Sequence, residues 1–274
     1  MMQPTSRRVP ETIFRNCMLS EGERTVAAEC AIALSYGGWT EAVMMAPPAD
    51  LEDFAIGFSL SEGIIETIEE VTGIEALDAS GGIDLQISLT EDVDRALRVR
   101  RRAKAGPVGC GLCGVESIEE ALKPAADVSD VALALTARDI SQAMESLSAN
   151  QPLNAETRAV HAAGFYIPGR GMIAVREDVG RHNALDKLIG HLAQAGISGA
   201  DGAVIMTSRL SVELVQKTAK LGSGLLIGIS APTALAIDMA GRAGMTLVAL
   251  ARGEDFEIFS GRNRIRTGEA ADAA

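Results

Sequence analysis

The residue types best suited to chemistry in this chain are two thiols three positions apart, Cys110 and Cys113. They sit in the run Gly106-Pro107-Val108-Gly109-Cys110-Gly111-Leu112-Cys113-Gly114. The thiolate is the reactive form of cysteine, and it is favoured by exposure and nearby cations. Arg95, Arg98, Arg100, Arg101, Arg102 and Lys104 stand just upstream. Three chemistries fit such a pair. A structural zinc site needs a second pair of ligands, and the remaining cysteines, Cys17 and Cys30, lack ribbon-like spacing. A thioredoxin-like redox site places its first cysteine where a helix follows a strand. Sulfur carriage, with a thiolate accepting sulfur as a persulfide and passing it on, suits a glycine-rich loop that must serve two sites. Zinc-dependent deamination also uses paired cysteines, but with His-x-Glu. Here His161, His182 and His191 are each followed two residues on by alanine, so that chemistry is not expected.

A second set of candidates lies near the C-terminal end of the chain. Short apolar runs at 203–206, 225–229 and 245–250 alternate with helical stretches at 211–221 and 233–243. This is the pattern of a sheet covered on both faces. Ligands of open α/β sheets bind beyond the carboxyl ends of the strands. The residues expected there are Ser208 and Arg209 after the first run, Ser230 and Thr233 after the second, and Leu250, Ala251, Arg252, Gly253, Glu254 and Asp255 at the third. Hydroxyls, arginines and helix starts favour a phosphate-bearing, nucleotide-like ligand. The competing reading is helix capping, for which Ser211 and Thr233 are both suited. A third set is the polar turn around His182 and Asn183, which joins a strand end to a helix carrying Leu185, Leu188, Ile189 and Leu192.

The elements that must position these residues divide the chain. Residues 1–25 read as a loose arm. Residues 26–134 read as a β-rich portion, and 135–274 as an α/β core. Within the β-rich portion, strands are expected at 30–34, 41–45, 68–76, 83–89 and 96–102. A helix capped by Asp50 is expected to stop near Gly63. The basic run then reads as a solvated strand face. Thr136-x-x-Asp139 opens a helix with Ile140, Met144 and Leu147 on one face.

Composition bounds the function. With 274 residues, 47% hydrophobic, the chain can bury a core without disulfides. Thirty-seven acidic against 25 basic residues, net −12, argue against broad nucleic-acid binding. No apolar stretch is long and unbroken enough to span a bilayer. The start lacks a secretory pattern, so the expectation is a cytoplasmic protein whose cysteine pair is catalytic or metal-binding.

In order, these segments resemble the formate dehydrogenase accessory sulfurtransferases, the FdhD family. The resemblance runs roughly from Val26 to Ser260. It is carried by LEDFAIGFSLSEGII at 51–65, GCGLCGVESIEEAL at 109–122, EDVGRHNALDK at 177–187, TSRLSVELVQKTAKLG at 207–222, SAPTALAIDMA at 230–240 and ARG at 251–253. It implies a cytidine-deaminase-like α-β-α core without zinc and a homodimer. It further implies a carrier that takes persulfide sulfur from a cysteine desulfurase. The sulfur goes to the molybdenum cofactor, a bis-molybdopterin guanine dinucleotide, of the formate dehydrogenase catalytic subunit. Cys110 then matches the persulfide carrier and Cys113 its helper, while residues 250–255 match the guanine-dinucleotide contact. No metal is held by the protein itself. A cofactor chaperone without sulfur chemistry and a dithiol oxidoreductase are the alternatives. The chain departs from the family where Thr157-Arg158-Ala159 replaces Thr-Gly-Gly.

Overall fold

The computed structural model describes residues 4–104 and 122–266, the side chains of 101–104 excepted. Cys110 and Cys113 lie outside the described residues. Among those described, no helix is long and apolar enough to cross a membrane.

The expected loose arm is instead a hairpin. Strands β1 (Ser6–Arg15) and β2 (Met18–Ala27) pair antiparallel from Ser6↔Ala27 to Arg15↔Met18. Asn16 and Cys17 make the turn with φ of 50° and 62°, the handedness that fits the twist of a two-residue hairpin. Sequence periodicity misses this ribbon because it packs no apolar stripe on a core. Its base rests on later residues, with Arg24 donating to the carbonyl of Thr157.

The next portion is a four-stranded sheet in the order β4-β3-β6-β5, built from β3 (Cys30–Tyr36), β4 (Trp39–Ala46), β5 (Val71–Ala79) and β6 (Gly82–Leu89). Helix α1 (Leu51–Ser61) covers its inner face, where Ile32, Leu34, Ile83, Leu85, Phe54 and Phe58 are buried together. Asp50 stands at the N-cap position but makes no side-chain capping bond.

The strand expected at 96–102 is a helix, α2 (Glu91–Lys104). Glu91, Asp92 and Asp94 occupy its first turn, where they complement the macrodipole. Arg95 pairs with Asp92 at 3.2 Å and Arg98 with Asp94 at 2.8 Å. Val93 and Leu97, four residues apart, pack on the core. The helical period outweighs the short alternation around Leu97 and Val99.

The remaining chain is a three-layer α/β unit. Its six-stranded sheet has the order β13-β12-β11-β10-β8-β9, with β8 (His161–Ile167), β9 (Gly171–Asp178), β10 (Ala203–Met206), β11 (Leu225–Gly228), β12 (Thr246–Arg252) and β13 (Asp255–Ser260). Strands β10, β11 and β12 are parallel, in the registers Val204↔Leu226 and Leu226↔Leu247. Alternate side chains serve opposite faces. Val204, Met206, Leu226 and Leu247 bury against helices α5 (Arg181–Gln194), α6 (Val212–Lys220) and α7 (Ala234–Arg242). Ala203, Ile205, Leu225 and Val248 bury against α3 (Ala137–Ala149). The sequence predicts the start of α3 correctly: Asp139 N–H donates to Thr136 Oγ1 at 3.1 Å, and Thr136 N–H returns to Asp139 Oδ2 at 2.8 Å. A short helix, α4 (Pro152–Thr157), precedes β8. Strands β7 (Leu135–Thr136) and β14 (Ile265–Arg266) form a small parallel pair.

Candidate ligand-binding site

The carboxyl ends of β10, β11 and β12 carry three loops that backbone hydrogen bonds join into one platform. Ile229 N–H reaches Met206 O at 3.1 Å, Leu210 N–H reaches Ala231 O at 3.3 Å, and Thr233 N–H returns to Leu210 O at 3.0 Å. Leu250 N–H extends the chain of bonds to Ser230 O at 3.4 Å. On the other side, Thr207 Oγ1 accepts the Ala162 N–H at 2.8 Å and so fixes the first loop to β8. Ser208, Arg209, Ser230, Thr233 and Leu250 are therefore brought together at one sheet edge, as their sequence positions predict. Arg252, Gly253, Glu254 and Asp255 continue from it as the exposed β12–β13 turn, with Arg252 paired to Asp255 in register.

Within the platform, the hydroxyls and the arginines separate by role. Ser208 is buried and its Oγ donates to the Arg209 carbonyl at 3.0 Å. Thr233 caps α7, its Oγ1 accepting from Ala236 N–H at 3.3 Å. Ser211 stands at the N-cap position of α6 without a side-chain capping bond to the helix. Arg209 and Arg252 are exposed. Leu250 holds φ at 52° where the β12–β13 pairing shifts register between Ala249 and Arg252. A left-handed conformation costs a residue with a side chain about 1–2 kcal/mol. Such strain is found where a backbone must take a specific path at a functional site.

The departure at 157–159 falls where the backbone favours glycine. Arg158 ends α4 with φ of 55° and ψ of 32°, a conformation that glycine adopts without penalty. The glycine that the family commonly has at this turn fits that backbone. The exposed Arg158 adopts it under strain.

The polar turn at 177–187 does two things. Asn183 faces inward, its Nδ2 donating to Met45 O and to Asp178 Oδ1, each at 3.0 Å. Asp178 also accepts from Gly180 N–H at 2.8 Å and pairs with the fully buried Lys187 at 2.8 Å. Glu177 accepts from Leu153 and Asn154 N–H, at 2.9 and 2.8 Å. Its carboxyl is held above its usual range by burial, offset in part by those bonds. His182 instead lies beside α6, with Nε2 3.8 Å from Glu213 Oε2. Burial, then the charges of Arg181 and Lys217, push its pKa down to about 4. It is neutral at physiological pH. The structure thus separates two neighbours expected to act together: Asn183 is committed to the interior, while His182 stays near the platform's first loop.

Sequence reasoning missed a buried ion network behind this turn. Lys217 of α6 donates to Asp186 Oδ1 and Oδ2 at 2.8 and 2.9 Å, to Glu62 at 2.9 Å and to Ser61 at 2.8 Å. Arg176 of β9 meets Asp53 of α1 at 2.6 Å. One signal was available: Asn183, Asp186, Lys187 and Gly190 recur at i, i+3, i+4 and i+7, the spacing of a buried helix face.

A mixed sheet enclosed by helices, with strand-end loops tied into a platform that displays arginines, defines a three-layer α/β protein. The FdhD/NarQ family model matches residues 27–266, and the chain belongs to that family. It is 58% identical over 264 residues to the sulfur carrier protein FdhD of Agrobacterium fabrum, covering 96% of this chain and 97% of that one. It is 52% identical to the sulfur carrier protein FdhD of Brucella abortus over 96% of this chain and 98% of the relative. A crystal structure of a putative formate dehydrogenase accessory protein from Desulfotalea psychrophila superimposes with a TM-score of 0.74 at 27% identity, covering 96% of this chain and all of that one.

Proposed function

We propose that this protein is a sulfur carrier working through Cys110 on behalf of formate dehydrogenase. The Cys110 thiolate attacks the outer sulfur of a cysteine desulfurase persulfide. A new S–S bond forms at Cys110, and the donor cysteine leaves as thiolate. That outer, zero-valent sulfur would then pass to the molybdenum cofactor, a bis-molybdopterin guanine dinucleotide bound as substrate at the platform, the reduced metal supplying the two electrons that make it sulfide, and Cys110 would return to the thiolate. Cys113 assists as a second sulfur acceptor. Arg209 and Arg252 are the phosphate contacts, and the turn at 250–255 meets the guanine end. His182, uncharged, is a hydrogen-bonding neighbour rather than a cation. The reading includes a homodimer in the cytoplasm, and a core akin to cytidine deaminase.

The observation that carries this reading is the name shared by relatives that span nearly the whole chain, sulfur carrier protein, joined to the Cys110-Gly-Leu-Cys113 run in this sequence. The platform supports it by offering a separate place for the acceptor. The test is incubation with a cysteine desulfurase and L-cysteine, followed by mass spectrometry of the tryptic peptides. The wild type is expected to gain labile sulfur on the peptide containing Cys110, and Cys110→Ala to gain none there. Equal loading of the Cys110→Ala protein would remove the assignment.

A further inference from the structure

The outward face of α2 has no role in the reading above. Arg95 and Arg98 stand on it with side chains 71% and 58% exposed, and among the described residues each is paired with an acid of its own helix. Exposed pairs at i, i+3 and i, i+4 are worth at most about 1 kcal/mol, so both guanidinium groups can exchange those acids for carboxylates of another molecule. Val99 lies beside them, 61% exposed. The turn between β3 and β4 meets the same face. A Cβ on Gly37 would lie 2.8 Å from Asp94 Oδ1 and 3.5 Å from Arg98 Nη2. Two residues further on, the single tryptophan of the chain, Trp39, is 69% exposed. Two arginines and an aliphatic side chain on one helix, with an exposed aromatic two residues from the glycine that meets it, have the composition of an interface centre.

Charge selects the partner. The protein carries −12 overall, yet within α2 six basic residues, Arg95, Arg98, Arg100, Arg101, Arg102 and Lys104, outnumber three acids, Glu91, Asp92 and Asp94. A cationic helix on an acidic protein steers an acidic surface to one place and repels it elsewhere. Position selects the partner further. Lys104 precedes Cys110 by six residues, a span of at most about 20 Å of extended chain.

We infer that α2, with Trp39 and Val99, is the docking face for the protein that loads Cys110, and that this donor presents carboxylates around an apolar pocket. The inference rests on the sulfur-carrier reading and adds the surface by which the donor is recognised.

The test compares two sulfur donors on the full chain. One is a purified cysteine desulfurase with L-cysteine, which must dock. The other is inorganic polysulfide, which need not. Arg95→Glu/Arg98→Glu and, separately, Trp39→Ser/Val99→Ser change only exposed side chains. With the desulfurase, each variant is expected to load Cys110 roughly tenfold more slowly. The rate should also lose most of its dependence on ionic strength in the arginine variant. With polysulfide, both should load like the wild type, and their affinity for GDP should be unchanged. Desulfurase-driven loading within about twofold of wild type in both variants would overturn the inference. So would an equal loss with polysulfide, which assigns the face to the thiol itself, or a loss of GDP affinity, which assigns it to the ligand. If neither donor loads the wild type, the sulfur-carrier reading falls, and this inference with it.

Discussion

His182 illustrates how neighbours set a residue's chemistry. Burial and the positive charges of Arg181 and Lys217 hold its pKa near 4, against 6.5 for a free imidazole. Between those values the unfolded chain binds a proton that the folded chain does not. Stability therefore falls as pH drops from 6.5 toward 4, and it is unaffected by this group above that window. His161, held down by burial and then by Arg181, acts in the same direction. In His182→Gln the loss of thermal midpoint over this interval is expected to be smaller than in the wild type. Parallel pH profiles for the two proteins would show that the imidazole is not held neutral by the fold. In the proposed reading, the same neutrality means that His182 can donate or accept one hydrogen bond but would add no charge to a phosphate, a task the proposal gives to the exposed arginines.

At the level of elements, the contact that orders the molecule is the crossing of α1 and α5. A Cβ on Gly57 would overlap the Asp186 carbonyl, and one on Gly190 would overlap the Asp53 carbonyl. The helices meet backbone to backbone, which only glycine permits at both positions. Exchanging a helical glycine for alanine ordinarily gains about 1 kcal/mol. Here Gly57→Ala and Gly190→Ala should each instead lose at least about 2 kcal/mol, because overpacking a fixed crossing forces the helices apart. The measurement is the midpoint of urea unfolding; an increase in either variant would show that the crossing is loose. The crossing also explains the position of the strand-end platform. It sets α5 against α1, and through Lys217 sets α6, whose start follows the first platform loop.

For the molecule as a whole, the four-stranded sheet and the three-layer core are joined by largely buried charges. Lys217 links α6, α5 and the end of α1, while Lys187 and Asp178 sit beneath Met45 of the other sheet and Pro47 just after it. Phe54 and Phe58 lie under the two ammonium groups, at 5.7 and 5.9 Å, adding a cation–π contribution on the α1 side. Removing one member of a buried pair costs about 3–5 kcal/mol because its partner keeps an uncompensated charge. Lys217→Met should therefore strip Asp186 and Glu62 of their cation. In the wild type, amides of β3 and β6 are expected to exchange hydrogen with the same free energy as those of β10 and β11. In Lys217→Met the first pair should open more easily than the second. Separate protection in the wild type would show that the two parts fold independently.

Sequence alone determined what is local. The start of α3 at Thr136 and Asp139, the three parallel strands and the gathering of Ser208, Arg209, Ser230, Thr233 and Leu250 at one sheet edge were all legible, because caps and apolar periodicity act over a few residues. Tertiary structure decided what depends on distant partners. Asn183 reads as a site residue until Met45, 138 positions away, takes its amide. Nothing in the sequence around Asp186, Lys187 and Lys217 names the partners that bury them. The hairpin at 6–27 and helix α2 were misread for a related reason: one has no buried stripe, and the other shows only a few apolar residues among its charges. A charge in a sequence carries no mark of whether water or a counter-charge will satisfy it, and only the folded chain supplies the answer.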